Sequence, residues 1–397
     1  MTPDVIVVGA GPGGAATAIL LSEHGLGVLV LDRARFPRSK ICGEYLSPEA
    51  VRVLDRLGAL KTLDAVATPL LGMRITAPDG TTVAGRYRPL GPYRPYREHA
   101  LGVSRTTLDA ALAERLRALP LEFREETRVT DLILDGERVV GVETVDRDHR
   151  ARTVRAPLVI GADGRTSVVA QRLGCRRPHR LRRMALVTYV SGLSGCGDSG
   201  EVFVDPPDYG ILNPIEPDRA NLSLVVPLEH AAPFSDRLEA FFAARVAQLP
   251  HLARRLAGAR RAAPVQAMGP LAYRVTPPRR PGVLLVGDAA GFYDPFTGEG
   301  IFSALHGAEL AAETVVRALR SGDTSARALA EYERARRTAF GGKARLTRAL
   351  QLVIRHRRLA NLTARVLVRR PALLDLLLGI IGDFVPPRAL LGVLRAR

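Results

Sequence analysis

The chain opens on a strand–turn–helix pattern that few folds can accommodate. Residues 4–9 (DVIVVG) form a continuous apolar run, which predicts a strand buried on both faces of a parallel sheet. The turn after it contains the pattern GxGxxG and four glycines in all, namely Gly9, Gly11, Gly13 and Gly14. An alanine-rich helix then runs to about His24, and a second strand over residues 28–31 leads to Asp32. This is a βαβ unit, so we expect an α/β architecture.

Each part of this unit suits a dinucleotide. Glycine allows a tight turn and lets backbone N–H groups approach a pyrophosphate at the helix N-terminus. Asp32 closes the second strand, where a carboxylate accepts hydrogen bonds from a ribose diol. A tight strand–helix turn needs glycine for steric reasons as well, so the glycines alone are weak evidence. Strand, spacing and acidic residue agree, and together they predict dinucleotide binding.

Two later segments repeat the form of an apolar strand that ends in a polar turn. Residues 158–167 (LVIGADGRTS) contain Asp163 and Gly164, and residues 283–291 (VLLVGDAAG) contain Gly287 and Asp288. Residues 295–300 (PFTGEG) follow and precede a helix. These motifs, in this order after the first glycine turn, resemble the p-hydroxybenzoate-hydroxylase-like superfamily of FAD-dependent enzymes. The resemblance covers most of residues 1–335.

The resemblance implies an α/β fold: a Rossmann-like FAD-binding domain, an inserted antiparallel β-sheet substrate domain and a C-terminal helical extension. The expected FAD-binding domain is discontinuous and comprises residues 1–68, 101–176 and 268–337. The substrate domain would comprise residues 69–100 and 177–267, and basic helices would occupy residues 338–397. FAD is the implied cofactor, with NAD(P)H as the electron donor.

The resemblance also implies which residues lie against FAD. They are Gly9, Gly11, Gly13, Gly14, Asp32, Arg33, Cys42, Gly43, Arg105, Val129, Asp163, Gly164, Gly287, Asp288, Pro295, Gly298, Gly300 and Ile301. Two of them have simpler interpretations, because Arg105 could lie on the surface and Asp163 could cap the turn that follows it.

Residues 42–48 (CGEYLSP) indicate the geranylgeranyl-reductase-like branch of this superfamily. In that branch the segment lies close to the flavin. Cys42 is therefore a candidate redox or proton-donating thiol. The alternative is that it is a small apolar filler beside the flavin ring.

The next motif of that branch is altered in this chain. Isoprenoid reductases that resemble it carry the pattern YxxWxFP, and residues 209–214 here read YGILNP. Ile211 and Asn213 stand where the tryptophan and phenylalanine would be, and the whole chain contains no tryptophan. The WxWxIP pattern of flavin-dependent halogenases is absent for the same reason. Hydroxylation or epoxidation is therefore favoured over prenyl reduction and halogenation.

The expected function is that of a FAD-dependent monooxygenase. It would hydroxylate or epoxidise a hydrophobic aromatic, polyketide or lipid-like substrate with NAD(P)H and O2. A flavin-dependent alkene reductase is the alternative. Candidate catalytic residues are Cys42, Tyr45, Tyr209 and Asn213, each of which could instead be structural. We expect no metal site, and the three dispersed cysteines, at positions 42, 175 and 196, favour a reducing cytoplasm.

The formal charge of +17 raises a second class of function, a non-enzymatic basic protein that binds lipid or nucleic acid. Only three of the 57 basic residues are lysines, so biased composition accounts for much of the charge. Residues 340–397 contain 12 basic and two acidic residues, a net charge of +10. Within them, Leu346, Leu350, Val353 and Ile354 share one helical face. That face could pack on the protein or contact a membrane peripherally; we expect no nucleic-acid partner.

Overall fold

The computed structural model describes residues 2–195, 197–298 and 300–390. Cys196, one of the three dispersed cysteines, lies outside the described residues, and so do the last seven residues of the chain. The strands are β1 (Val5–Val8), β2 (Val28–Leu31), β3 (Tyr45–Leu46), β4 (Thr68–Leu70), β5 (Gly72–Thr76), β6 (Thr82–Arg86), β7 (Ala100–Gly102), β8 (Glu122–Arg124), β9 (Arg128–Asp135), β10 (Arg138–Val145), β11 (Ala151–Arg155), β12 (Leu158–Gly161), β13 (Arg176–Pro178), β14 (Arg183–Ser191), β15 (Ser199–Asp205), β16 (Asp208–Glu216), β17 (Arg219–Pro227), β18 (Arg260–Arg261), β19 (Gln266–Met268), β20 (Tyr273–Val275) and β21 (Val283–Leu285).

The α-helices connect these strands and form the C-terminal region. They are α1 (Pro12–Glu23), α2 (Pro48–Arg56), α3 (Leu60–Asp64), α4 (Arg105–Arg117), α5 (Val168–Arg172), α6 (Leu228–Ala231), α7 (Leu238–Ala247), α8 (Pro250–Arg255), α9 (Gly300–Arg320), α10 (Ala326–Val353), α11 (Arg357–Arg369) and α12 (Pro371–Ile381).

A five-stranded sheet in the order β21-β12-β1-β2-β8 organises the first unit, and all of its pairs are parallel. Strands β1, β2 and β12 are buried along their whole length, as their unbroken apolar sequences predict. Helices α1, α4 and α9 cover one face, and the small sheet of β9, β10 and β11 covers the other. This arrangement confirms the predicted fold class.

A second sheet has eight strands, seven of them in the order β18-β14-β17-β16-β15-β5-β6, with β19 paired to β14. Its neighbours are antiparallel except for β15 and β5, which run parallel. Residues 72–86 therefore lie in the same sheet as residues 183–227. Helices α7 and α8 pack on one face of this sheet, and the other face is directed at a cavity. The domain boundaries stated above stay a prediction.

The C-terminal helices pack on both units. Helix α10 buries a polar row, Lys343, Thr347 and Gln351, at intervals of four residues. Of the predicted apolar stripe only Ile354 is buried, whereas Leu346, Leu350 and Val353 are half-buried. The stripe is not the buried face because the polar row of α10 packs against polar partners: Gln351 donates to Asp294 in the loop before α9, and Lys343 donates to the Ile381 carbonyl oxygen at the end of α12.

Helix α12 lies against β6, where the absence of a side chain at Gly85 leaves room for Leu374 and Leu378. In residues 2–195, 197–298 and 300–390, none of the helices combines the length and the apolar character that crossing a bilayer requires.

Candidate active site

The first glycine turn forms a cradle at the carboxyl end of β1. Gly9 has φ +100°, and a Cβ there would lie 2.5 Å from the Ala162 carbonyl oxygen. A Cβ on Gly14 would overlap the carbonyl oxygen of Gly9. Gly11 and Gly13 line the cavity, and α1 begins there with no side-chain cap and no acidic residue in its first turn. The helix N-terminus is therefore free to receive an anionic group.

Asp32 is held at the edge of this cradle. Its Oδ2 accepts a hydrogen bond from the Ala10 N–H at 2.8 Å, and its Oδ1 accepts one from the Ala34 N–H at 2.8 Å. Of the other predicted contacts, Arg33 is exposed and Val129 is buried in β9, and neither lines the cavity. Asp32, Gly9 and Gly14 do not line the cavity either, although the backbone N–H groups of Ala10 and Ala34 set the orientation of the Asp32 carboxylate.

Three cations and two carboxylates surround the cradle. The Arg105 guanidinium contacts Asp109 at 2.9 Å, and Arg38 lies 3.5 Å from Asp109 and 3.8 Å from Asp32. Lys40 lines the cavity, where burial and the nearby Arg105 charge lower its pKa. An excess of positive charge at a helix N-terminus suits a pyrophosphate.

Arg105 is only 6% exposed, so the surface interpretation of this residue is wrong. The sequence motifs did not predict that Arg38 and Lys40 belong to this cluster of cations. Their sequence signal is modest: they stand in the RSK stretch just before the CGE motif.

Residues 42–44 form a loop between the cradle and the second sheet. Glu44 has φ +57° and is 1% exposed. Its carboxylate accepts hydrogen bonds from the Arg105 N–H at 2.8 Å, the Tyr189 hydroxyl at 2.8 Å and the Asn221 amide at 3.2 Å. Burial nonetheless raises the pKa of Glu44. The loop is thereby attached at once to α4, β14 and β17.

The Cys42 thiol stays protonated in this environment. Burial raises its pKa more than the nearby Arg105 charge lowers it. Its sulfur accepts a contact from the Glu44 N–H at 3.3 Å. Cys42 therefore lacks the lowered pKa that marks an activated nucleophile, since only the thiolate is nucleophilic.

The second and third FAD motifs meet the cradle from the other side. Gly164, Gly287, Asp288, Gly298, Gly300 and Ile301 line the same cavity. Asp163 accepts a hydrogen bond from the Val168 N–H at 2.6 Å at the start of α5, makes no capping hydrogen bond to the turn of residues 164–166, and is not part of the lining. The side chain of Pro295 lies outside the described residues.

The two candidate tyrosines have structural partners. The Tyr45 hydroxyl lies 2.6 Å from that of Tyr87, and a Cβ on Gly298 would lie 2.7 Å from the Tyr45 ring. Tyr209 is fully buried and donates to Asp294 at 2.7 Å. Tyr45 and Tyr209 thus support the loop that precedes α9. Tyr209 does not line the cavity.

The cradle opens into an apolar chamber. The cavity holds about 1540 Å³ of space free of protein atoms, part of which is open to solvent. Strands of the second sheet supply most of the chamber wall, and α12 adds Leu378 and Ile381. The apolar lining residues of this sheet are Met73, Ile75, Ala185, Val187, Val202, Ile211, Val225 and Met268. The basic C-terminal region is therefore part of the chamber wall as well as of the surface.

A glycine cradle that opens into an apolar chamber is the arrangement of a FAD-dependent oxidoreductase. FAD fits the residues present, because the uncapped α1 terminus, Lys40 and Arg105 face a space that the glycines leave open, and Arg38 lies beside Gly11. Residues 2–344 match the family described as FAD binding domain, and the chain belongs to this family.

Relatives agree with this assignment. The chain is 30% identical over 403 aligned positions to menaquinone reductase from Mycolicibacterium smegmatis, with 96% of this chain and 92% of that protein covered. It is 28% identical to digeranylgeranylglycerophospholipid reductase 1 from Methanococcoides burtonii, with 86% and 81% covered. The resemblance to the FAD-dependent superfamily and its reductase-like branch is confirmed.

A solved structure shares the fold over nearly the whole length of this chain. The flavin-dependent brominase Bmp2 superposes with a TM-score of 0.86 at 21% identity, over 99% of this chain and 98% of that chain. At this identity the likeness concerns the fold alone.

The cation cluster yields a prediction about cofactor affinity. Replacing Lys40 with Met removes a cation from the cavity, so we expect the Kd for FAD to rise about tenfold, or about 1.4 kcal/mol. Fluorescence titration of the apoprotein with FAD measures this. Lys61→Met, at an exposed lysine outside the cavity, is the control and should bind FAD as the wild type does. Unchanged affinity in Lys40→Met would contradict the assignment.

Proposed function

We propose that this protein is a FAD-dependent monooxygenase that hydroxylates or epoxidises a hydrophobic aromatic, polyketide or lipid-like substrate, with NAD(P)H and O2 as co-substrates. The observation that carries the proposal is the continuity of the flavin cradle with an apolar chamber. Bound FAD would supply the redox chemistry by taking electrons from NAD(P)H and passing them to O2. The chain's own residues bind, orient and exclude water.

The aliphatic face of the second sheet would exclude water from the chamber. Ile211 on β16 and Val225 on β17 lie on adjacent strands, and both line the chamber. A dry site protects reactive intermediates from hydrolysis and strengthens the electrostatic interactions within the site. Ile211 and Asn213, where the reductase-like pattern carries aromatic residues, leave room for a ring beside the flavin.

The start of α9 is the electrostatic element of the chamber. Gly298, Gly300, Ile301 and Ala304 line the cavity, so the N-terminus of this 21-residue helix borders the flavin site. The positive end of the helix dipole stabilises negative charge on a neighbouring ring. The chain therefore favours the reduced, anionic form of its cofactor.

Alkene reduction is the second candidate. The neutral Cys42 thiol favours it, because saturating a double bond requires a proton as well as a hydride. The named reductase activities of the relatives support the same candidate. The two candidates differ in whether O2 is consumed.

Oxygen stoichiometry distinguishes the two reactions. With a long-chain alkylphenol or alkene as the probe, we expect NAD(P)H oxidation and O2 uptake in equal amounts, and one atom from isotopically labelled O2 in the product. An oxygen electrode and mass spectrometry measure both quantities. Anaerobic saturation of the alkene, with no label in the product of the aerobic reaction, would replace this proposal with the reductase.

We also propose that the protein is cytoplasmic and contacts a membrane peripherally through α11. This helix contains no acidic residue. Its buried side is Ala360, Ala364 and Leu367, and Leu362 and Val366 on the other side are 58% and 40% exposed. A basic helix with exposed aliphatic residues suits an anionic lipid surface. Leu367 belongs to the same apolar cluster as Leu378, which lines the chamber.

A vesicle experiment tests this contact. We expect Leu362→Glu to weaken co-sedimentation with phosphatidylglycerol-containing vesicles about tenfold, because it adds an anion and removes an apolar group from the contact. Leu134→Glu is the matched control, since Leu134 is 49% exposed on β9. Equal co-sedimentation of both variants and the wild type would show that α11 only packs on the protein.

A further inference from the structure

Two polar side chains interrupt the aliphatic chamber wall that the second sheet supplies. They are Asn213 on β16 and Ser223 on β17, and both line the cavity. Their residues are only 3% and 5% exposed. Polar groups buried in an apolar wall cost free energy unless they find partners, so the partners of each atom decide what this wall can bind.

The amide of Asn213 can adopt only one orientation. Its Nδ2 donates to the Gly43 carbonyl oxygen at 2.7 Å. A carbonyl oxygen accepts and cannot donate, so the nitrogen must face Gly43 and Oδ1 must point away. That Oδ1 is buried and has no hydrogen-bond partner among the described residues. A Cβ on Gly200 would lie 2.7 Å from this Oδ1 and 2.6 Å from the sulfur of Met73, so the absence of a side chain at Gly200 leaves room for both groups at the cavity wall.

The hydroxyl group of Ser223 also has a fixed hydrogen-bonding role. Asn221 uses its Nδ2 on the Cys42 carbonyl oxygen at 2.9 Å and on Glu44 at 3.2 Å, so its Oδ1 faces Ser223. The Ser223 hydroxyl donates to that Oδ1 at 2.9 Å. Its proton is therefore used, and only its lone pairs remain for a ligand.

Among the described residues of the second sheet that line the cavity, none carries a side chain that could remove a proton. Glu44 also lines the cavity, but its carboxylate already accepts three hydrogen bonds. Asn213 and Ser223 are neutral. A ligand group that meets them keeps its proton and must supply it as a hydrogen bond.

We propose that Asn213 and Ser223 are specificity-determining residues that select a substrate carrying a hydroxyl group, an alcohol or a phenol, over the corresponding ether or carbonyl compound. A hydroxyl donates to Asn213 Oδ1 and satisfies the orphaned acceptor. An ether or carbonyl oxygen brings a second acceptor and leaves both unpaired. This inference rests on the proposed binding of a hydrophobic substrate in the chamber, and it narrows the class of that substrate.

Binding can be measured without turnover. The probes are a long-chain para-alkylphenol and its methyl ether, titrated into the FAD-loaded oxidised enzyme without NAD(P)H, with flavin absorbance as the signal. We expect the wild type to bind the phenol roughly tenfold more tightly than the ether. Asn213→Leu should bring that ratio close to one while the ether binds at least as tightly as before.

Ser223→Ala provides a second variant in case Asn213→Leu does not fold, and it should lower the ratio by a smaller factor. Thr188→Val is the matched control. Thr188 is equally buried in the same sheet, but its hydroxyl donates to the Ala263 carbonyl oxygen at 2.6 Å and does not line the large cavity. This variant should keep the wild-type ratio.

Two results overturn the inference: a wild-type enzyme that binds the ether as tightly as the phenol, or an Asn213→Leu variant that keeps the preference. If both probes bind with the expected ratio but the products contain no oxygen from O2, the monooxygenase proposal fails and this inference stands. If neither probe binds, the hydrophobic-substrate proposal and this inference fail together.

Discussion

A single buried carboxylate joins the cofactor-binding half of the molecule to the substrate-binding half. Glu44 receives hydrogen bonds from the start of α4, from β14 and from β17, which belong to different parts of the fold. A buried carboxylate is tolerated only when such donors surround it. Its left-handed backbone conformation turns the Cys42 and Gly43 carbonyl groups toward Asn221 and Asn213. The cradle and the chamber share one cavity because this loop is attached to both.

The C-terminal helices complete the same cavity from the other side. Asp294 accepts hydrogen bonds from Tyr209 in the second sheet and from Gln351 in α10, both on Oδ1. Burial raises the pKa of Asp294, so these donors matter for holding its charge. The second sheet and α10 together position the loop that leads into α9. The basic C-terminal region therefore has a structural role next to the flavin site as well as an exposed cationic face.

Local patterns predicted the cradle well, because a glycine turn between a buried strand and a helix depends on neighbouring residues. The same holds for the β12 and β21 motifs, which end at adjacent parallel strands. Contacts between distant segments could not be predicted. The partner of Tyr209 is 85 residues away along the chain, and that of Asn213 is 170 residues away. The polar buried face of α10 was also missed, because an apolar stripe predicts burial only where the opposing surface is apolar.

Residues 42–44 thus couple the flavin site to the substrate chamber. The most direct measurement compares the affinities of Glu44→Gln and wild-type protein for FAD and for a long-chain alkylphenol. The substitution places an amide nitrogen against one of the three donors, so the loop loses at least one attachment. We expect both affinities to fall together, each about tenfold. A folded Glu44→Gln protein that binds FAD and the alkylphenol as tightly as the wild type would contradict it.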